Sequence, residues 1–486
     1  MQNRKAGQAG DGGRGLSRRS VIRAGAGALA APMLLSRPAH SAGGKTIRVL
    51  LVGDPFYYAL RELVGQFKDE TGITAEVESL AYDALQARLV SSFIAHRPDA
   101  DVITVDAMWV GQYMDSNWIR PLDDLVKGDK SLDLGDFIPE VLYSLNTWRG
   151  HMATLPVAAY GQGVMYRKDA FAALGLQMPA AKDFTWDAYV KLVQGMDGKT
   201  VGGTKLFGTV VAGAQPQPIV HMYTQLAASQ GTRWFKQFPQ APWDFTPTID
   251  SPENLGALEM FNALYKMSPP AAINFNWFDA GMRFAHGDIG MLYWWTPYFY
   301  LTWNDGYMTG KPSPIRDQIE YATLPHDPAH PQVISTGGWS LGIPANAPNQ
   351  DAAWQFVKWA TSAKTQKAMG LVNKVGHQFS DFSRVSLYQD PDLAKIYPYL
   401  PLQLDLLRQG DGKVVRPPCP VYTTLEGIYG LNLNRTLSGG ATPKQALATT
   451  SSLFDNVLKG NFLIPYKLES FNDTLATTKQ LITSLA

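Results

Sequence analysis

The chain has 486 residues, 45% of them hydrophobic and 17% charged, an ordinary globular composition with length for two large domains. Its net charge of +1 hides an asymmetry: the first 42 residues carry seven basic residues and one acid, and without them the net charge is −5. A mildly acidic body offers no electrostatic footprint for nucleic acid, and the single cysteine, Cys419, excludes an intramolecular disulfide.

The basic opening is ordered. "SRRSVIR" (Ser17 to Arg23) precedes the apolar run "AGAGALAAPMLL", and small residues follow at Ala39-His40-Ser41-Ala42. This order resembles a bacterial twin-arginine export signal, which implies a periplasmic protein cleaved near Ser41-Ala42. The apolar run is about 12 residues, short of the roughly 20 needed to span a bilayer. The signal lacks a cysteine near its end, so no lipid anchor is expected. Gly25 to Ala30 match G-x-G-x-x-A, but no strand precedes them, and the match is read as accidental.

Beyond residue 42, "TIRVLLVG" (Thr46 to Gly53) has the length and apolarity of a buried strand. Leu60, Leu63, Val64 and Phe67 then repeat at i, i+3, i+4 and i+7, one face of a helix that Gly72 stops. "ITAEVESL" alternates as a strand, Tyr82, Leu85, Leu89 and Phe93 form the inward face of a second helix, and "DVITVDA" reads as another buried strand. Strand–helix–strand–helix–strand predicts a parallel sheet with helices on its faces. Ligands bind beyond the carboxyl ends of such strands. Asp54 to Tyr57 and Asp106 to Trp109 lie there. Further on, two extended runs flank Pro156, and "FTWDAYVKLVQGM" reads as a helix capped by Thr185 with Asp187 in its first turn. Residues 239–252 are proline-rich and predicted to be a loop. Phe284 to Asn304 are dense in aromatics. Near the end, "ATPKQALATTSSLFDNVLKG" predicts a helix with Thr442 as cap and Pro443 at its first position.

"STGGWSLGIPANAPNQ" (Ser335 to Gln350) contains G-x-S-x-G, the pattern of a nucleophilic serine. That motif needs a helix directly after the serine. Pro344 and Pro348 prevent one, and the next helix begins near Asn349. The histidine after Ser340 is His377, and the acid between them, Asp351, reads as a first-turn helix residue. Ser340 is therefore not expected to be a nucleophile, and no catalytic residue is assigned. Gly-Gly-Trp suits a pocket instead: glycines admit close backbone approach, and a tryptophan presents a flat apolar face with one donor. The eight histidines are scattered, and prolines in "PHDPAHP" keep His326 and His330 off a common helix. No metal site and no cofactor are expected.

The stretches "FKDETGITAEVE", "DVITVDAMWVGQYMDSNWIRPLDDL", "LPVAAYGQGVMYRKDAFAALGL" with "FTWDAYVKLV", "FAHGDIGMLYWW" and "TGGWSLGIPANAPNQDAAWQFVKWATS" occur in this order. In them the chain resembles the extracellular solute-binding proteins of bacterial ABC importers, family 1, the carbohydrate-binding group that includes maltose-binding proteins. The resemblance implies an α/β, two-lobed periplasmic-binding-protein fold of type II. Each lobe would be a mainly parallel sheet flanked by helices, and the lobes would close on ligand about a hinge. Residues 43–156 and 322–374 would form lobe 1, and 157–321 and 375–486 lobe 2. Crossings would fall near Leu155-Pro156, Ala322-Thr323 and Asn373-Lys374. It also implies capture of a sugar or polyol by a monomer that delivers it to the transmembrane subunits of a permease.

Carried over by position, the ligand residues would be Asp54, Tyr57, Asp106, Trp109, Tyr160, Trp294, Trp295, Gly338, Trp339 and Arg384. Adjacent strand residues face opposite ways, so one of Trp294 and Trp295 would meet ligand. Pro55 stands where maltose-type relatives have a polar side chain, and Tyr160 where they have a carboxylate, which argues against a maltodextrin. Two other readings stay open. One is a secreted glycoside hydrolase with Asp54 and Asp106 facing across a sugar. The other keeps the fold with a peptide, polyamine or organic anion as cargo.

Overall fold

The structure is a computed structural model that describes residues 45–301, 313–372, 379–461, 463 and 471–486. The expected export segment 1–42, His377 and the crossing at Asn373-Lys374 lie outside the described residues.

Apolar runs become buried strands. β1 (Thr46–Val52) is followed by α1 (Pro55–Leu60), α2 (Val64–Thr71), β2 (Thr74–Leu80), α3 (Tyr82–Ile94) and β3 (Val102–Asp106), which is buried at every position. The single helix read from Leu60 to Phe67 is two. Leu63 and Gln66 donate backbone bonds three residues back, to Leu60 and Leu63, so the chain tightens into a turn while Leu60, Leu63 and Phe67 stay buried. Gly72 ends α2 at φ +72°, a conformation glycine adopts without penalty.

The next framework elements are β4 (Leu155–Tyr160), β5 (Gln162–Arg167), α4 (Gln217–Ser229), α5 (Trp277–Ala285), β6 (Met291–Trp295), β7 (Ile319–Ala322) and β8 (Gly337–Gly342). One sheet has the order β2-β1-β3-β8-β4, and a second the order β6-β5-β7. β1 runs parallel to β2 and β3, whereas β8 is antiparallel to both β3 and β4. The second sheet is antiparallel throughout. The expectation of a mainly parallel sheet in each lobe is thus corrected. Only Gly161 separates β4 from β5, so the chain passes straight from one sheet into the other. β6 and β7 flank β5 and both run back along it, pairing Trp295 with Gln162 and Ala322 with Val164.

After β8 come α6 (Gln350–Thr361), α7 (Tyr422–Leu437), α8 (Pro443–Gly460) and α9 (Leu475–Leu485). The caps follow sequence chemistry. Thr185 accepts from the Ala188 amide at 3.2 Å, and Thr442 forms a capping box with Gln445. α6 buries Ala353, Phe356, Val357 and Ala360 as its spacing predicts, with Asp351 in its first turn. The proline-rich stretch 239–252 is not all loop: Asp244–Pro247 pair with Phe235–Gln237, because the Phe235 and Phe245 rings meet edge to face at 5.0 Å. α9 docks beside Glu140 and Thr147, where Lys479 pairs with Glu140 at 3.3 Å and Thr478 meets Thr147. Ser340 lies inside β8, buried, with its Oγ accepting from Asn146 at 2.9 Å. No helix among the described residues is long and apolar enough to cross a membrane, and no group of three or more His, Cys, Asp or Glu side chains among them is placed to hold a metal ion.

Candidate functional site

The carboxyl ends of β1 and β3, the amino end of α3 and the start of β8 meet the ends of β6 and α5 around a cavity of about 320 Å³. Asp54 stands between β1 and α1 in an extended conformation (φ −139°), and Pro55 starts the helix without needing an amide partner. Its carboxylate caps nothing and is left for the cavity, where it accepts the Tyr160 hydroxyl. Burial raises its pKa to about 6, opposed by the Tyr160 and Trp339 side chains and the Phe56 amide.

Asp106, the last residue of β3, does cap: it accepts from the Met108 amide at 3.0 Å. Burial raises its pKa as well, and the charge of Arg416 pulls it back. β8 pairs Trp339 with Asp106 and Gly337 with Tyr160, so strand register alone places ring, carboxylate and phenol side by side. Gly338 holds φ +127°, and a Cβ there would come within 2.2 Å of the Ala158 carbonyl oxygen. A Cβ on Gly337 would strike the Trp295 ring at 2.9 Å. These two glycines let β4 and Trp295 close on the strand.

Of the expected ligand residues, Asp54, Asp106, Tyr160, Trp295, Gly338 and Trp339 line this one cavity. Four do not. Trp294 is fully buried and donates to the Trp277 carbonyl at 3.1 Å, turned away from Trp295 as strand alternation requires. Trp109 is fully buried behind the site, 6.5 Å from the Trp339 ring centroid, and supports it from the rear. Tyr57 sits on α1 edge-on to Tyr58 and near Arg61, because the helix turns it out of the cavity. Arg384 donates to the carbonyls of Thr361, Leu132 and Asp133 at 2.7, 2.9 and 3.1 Å and lies over the Phe137 ring. It is a buried structural pin, held by backbone carbonyls and by Asp136, 3.6 Å from Nη1.

Four residues that sequence reasoning passed over share the cavity: Tyr82, His221, Trp277 and Arg416. The sequence spacing places Tyr82 on the inward face of α3. It is the first residue of that helix, just past the end of β2, the same kind of position that singled out Asp54 and Asp106. Its ring lies 5.9 Å from Trp339 and 5.8 Å from Trp277, so it touches aromatics on both sides of the cleft. Trp277 opens α5 behind the capping box of Asn276 and Asp279. His221 in α4 and Arg416 had no local signal. The Arg416 guanidinium lies 5.1 Å from the Trp295 ring centroid, within cation–π range. Behind them Glu426 accepts from the Tyr422 hydroxyl at 2.9 Å, and burial pushes its pKa to about 7.

Flat rings, ionisable oxygens and a fork of N–H donors around a small cavity suit a compact, polar, hydroxyl-rich guest. The chain is 24% identical to a mannitol-binding protein of Pseudomonas aeruginosa over 85% of its length and 93% of the relative's. It is 23% identical to a probable amino-acid ABC transporter periplasmic-binding protein of Sinorhizobium fredii, over 86% and 90% of the two chains. Among solved structures, a solute-binding protein of an ABC transporter from Agrobacterium radiobacter K84, in complex with ribitol, superposes with a TM-score of 0.74. That match has 28% identity over 86% of this chain and all of the other. Residues 53–367 match the profile of the bacterial extracellular solute-binding proteins, a family of transport proteins rather than enzymes. With that match spanning most of its length, the chain belongs to the bacterial extracellular solute-binding protein family.

Proposed function

We propose that the chain is the periplasmic binding subunit of an ABC importer, capturing a sugar or sugar alcohol and handing it unaltered to a membrane permease. The observation that carries this is the convergence of Asp54, Asp106, Tyr160, Trp295 and Trp339 on one cavity. At about 320 Å³ it lies at the small end of the roughly 300–1,000 Å³ range of small-molecule sites, which favours a monosaccharide-sized guest over a polymer. Carbohydrate C–H faces stack on Trp295 and Trp339, and hydroxyls donate to Asp54 and Asp106. The mannitol and ribitol relatives support the same ligand class.

Residues 1–42 direct twin-arginine export and are removed near Ser41-Ala42. The mature chain works as a monomer. Lobe 1 is built on the sheet holding β1 and β8, lobe 2 on the sheet holding β5. Ligand touches Trp339 and Asp106 on one lobe and Trp295 and Trp277 on the other, so it binds the closed state more tightly and shifts the population toward it.

The test is a thermal-shift screen of residues 43–486 with D-mannitol, ribitol, monosaccharides and amino acids, followed by calorimetry and chromatography of the recovered ligand. A ligand at 100 times its Kd stabilises the folded protein by about 2.7 kcal/mol. A sugar or polyol should raise the melting temperature and be recovered unchanged. Stabilisation by amino acids alone, which the Sinorhizobium relative's name raises, would overturn the ligand class. A hydrolysed product would overturn the transport role.

A further inference from the structure

Between the cavity wall and the core two obligate donors, the Trp277 indole and the Arg416 guanidinium, face the two nitrogens of one neutral His221 ring, which can accept from only one of them. The Trp277 indole N–H can only donate, and it points at His221 Nδ1 from 3.2 Å. A hydrogen on Nδ1 would find no acceptor among the described residues, whereas one on Nε2 finds Glu426, so Nδ1 is the bare nitrogen and the ring hydrogen is on Nε2. Glu426 Oε1 lies 3.2 Å from Nε2 and receives it. Arg416 Nη1 lies 2.9 Å from the same Nε2 and, in this tautomer, is the donor that the ring leaves without an acceptor. Its Nη2 reaches only the Thr336 carbonyl at 3.4 Å, and its Nε has no acceptor among the described residues. A guanidinium 1% exposed, with no ion pair among the described residues and with Nη1 and Nε short of an acceptor, lines the cavity.

We propose that His221 is the positioning residue of the cleft: its Nδ1 holds the Trp277 ring in the cavity wall, and its Nε2–H leaves the Arg416 donors for a ligand oxygen. The second half rests on the ligand reading above. The first does not. The guest would present an acceptor, such as a pair of vicinal hydroxyl oxygens, to the planar fork of Arg416, with its donors toward Asp54 at the other end. His221 is flanked by the rings of Trp277 and Trp295, each 5.8 Å from it, so a change in its tautomer would disturb both cavity walls. The charged groups facing it are Arg416, Glu426 and Asp106. Burial and Arg416 keep the ring neutral, with Asp106 opposing.

Nitrogen-15 NMR of histidine-labelled mature protein tests the tautomer without any ligand, with the His221 signals assigned by their loss in His221→Asn. The expected spectrum shows Nε2 protonated and Nδ1 bare, unchanged between pH 8 and pH 6. A protonated Nδ1 anywhere in that range would overturn the proposal. D-mannitol titrations test the consequence. His221→Asn keeps an acceptor near Nδ1 for the Trp277 indole, whereas His221→Phe fills the space and offers nothing. The Phe variant should bind about tenfold or more weakly and the Asn variant should recover part of that loss. Equal affinity in wild type and His221→Phe would overturn the positioning role. Should His221→Phe fail to fold, the spectrum decides with the Asn variant: a Trp277 indole N–H resonance displaced from its wild-type position in His221→Asn would refute the hold on the ring. Failure of every sugar and polyol to bind the wild type would refute the function proposed above and leave the tautomer to the spectrum.

Discussion

Asp54→Asn should make the protein more stable at neutral pH and worse at binding. The folded state raises the Asp54 pKa from 3.8 to about 6, with burial as the largest cause. An acid whose pKa is raised on folding binds its proton more tightly in the native state. Ionisation at pH 7.5 therefore opposes folding, and that cost fades as pH falls through 6 toward 3.8. The shift of about two units corresponds to roughly 3 kcal/mol at 1.36 kcal/mol per unit. Asparagine is nearly isosteric, keeps an acceptor for the Tyr160 hydroxyl and carries no charge, so it should regain up to that amount. For about 440 residues at ~2.1 cal/mol/K each, 3 kcal/mol is a melting-temperature rise of about 3 °C. The assay is thermal or urea unfolding of wild type and variant from pH 4 to pH 7.5, with calorimetry of the best ligand from the screen. The stability gap should be widest at pH 7.5 and close near pH 4, while affinity falls at pH 7.5. A gap independent of pH, or a variant less stable than wild type at pH 7.5, would refute the reasoning.

Three further outcomes follow from the geometry. Gly338→Ala places a Cβ within 2.2 Å of a carbonyl oxygen at φ +127°, so it should cost about 2 kcal/mol or more in urea unfolding. Trp339→Ala should leave the fold intact and weaken binding about tenfold or more by calorimetry, through loss of a stacking face. Arg384→Ala strands three backbone carbonyls and should lower stability by about 2–4 kcal/mol by urea unfolding while leaving ligand affinity unchanged.

Much of the frame is legible in one dimension because it is set by neighbours in sequence. The period of Leu85, Leu89 and Phe93, the caps at Thr185 and Thr442, the stop at Gly72 and the buried runs of β1 and β3 all depend on residues a few positions apart. The same holds for the first cavity-lining residues: a polar group at or just beyond the end of a buried parallel strand emerges at the sheet's carboxyl edge, which is how Asp54 and Asp106 are found. Tyr82 follows the edge strand β2, whose positions are mostly not buried, so the same signal is absent there and its helical spacing points to the core face instead. Arg384 illustrates the opposite error, since a charged residue in a plausible place says nothing about which donors the backbone has already taken.

The chain's own order determined that an aspartate stands at or just beyond the carboxyl end of each of two buried parallel strands, that Ser340 could not open a helix and that Gly-Gly-Trp suits a pocket. Only the folded chain decided the direction of the second sheet, the choice of Trp295 over Trp294, and the arrival of His221 and Arg416 beside residues more than a hundred positions away. The reason is physical: periodicity and capping are local forces that sequence spacing encodes. Which buried donor meets which acceptor is settled by contacts between distant segments, and no short stretch of residues contains them.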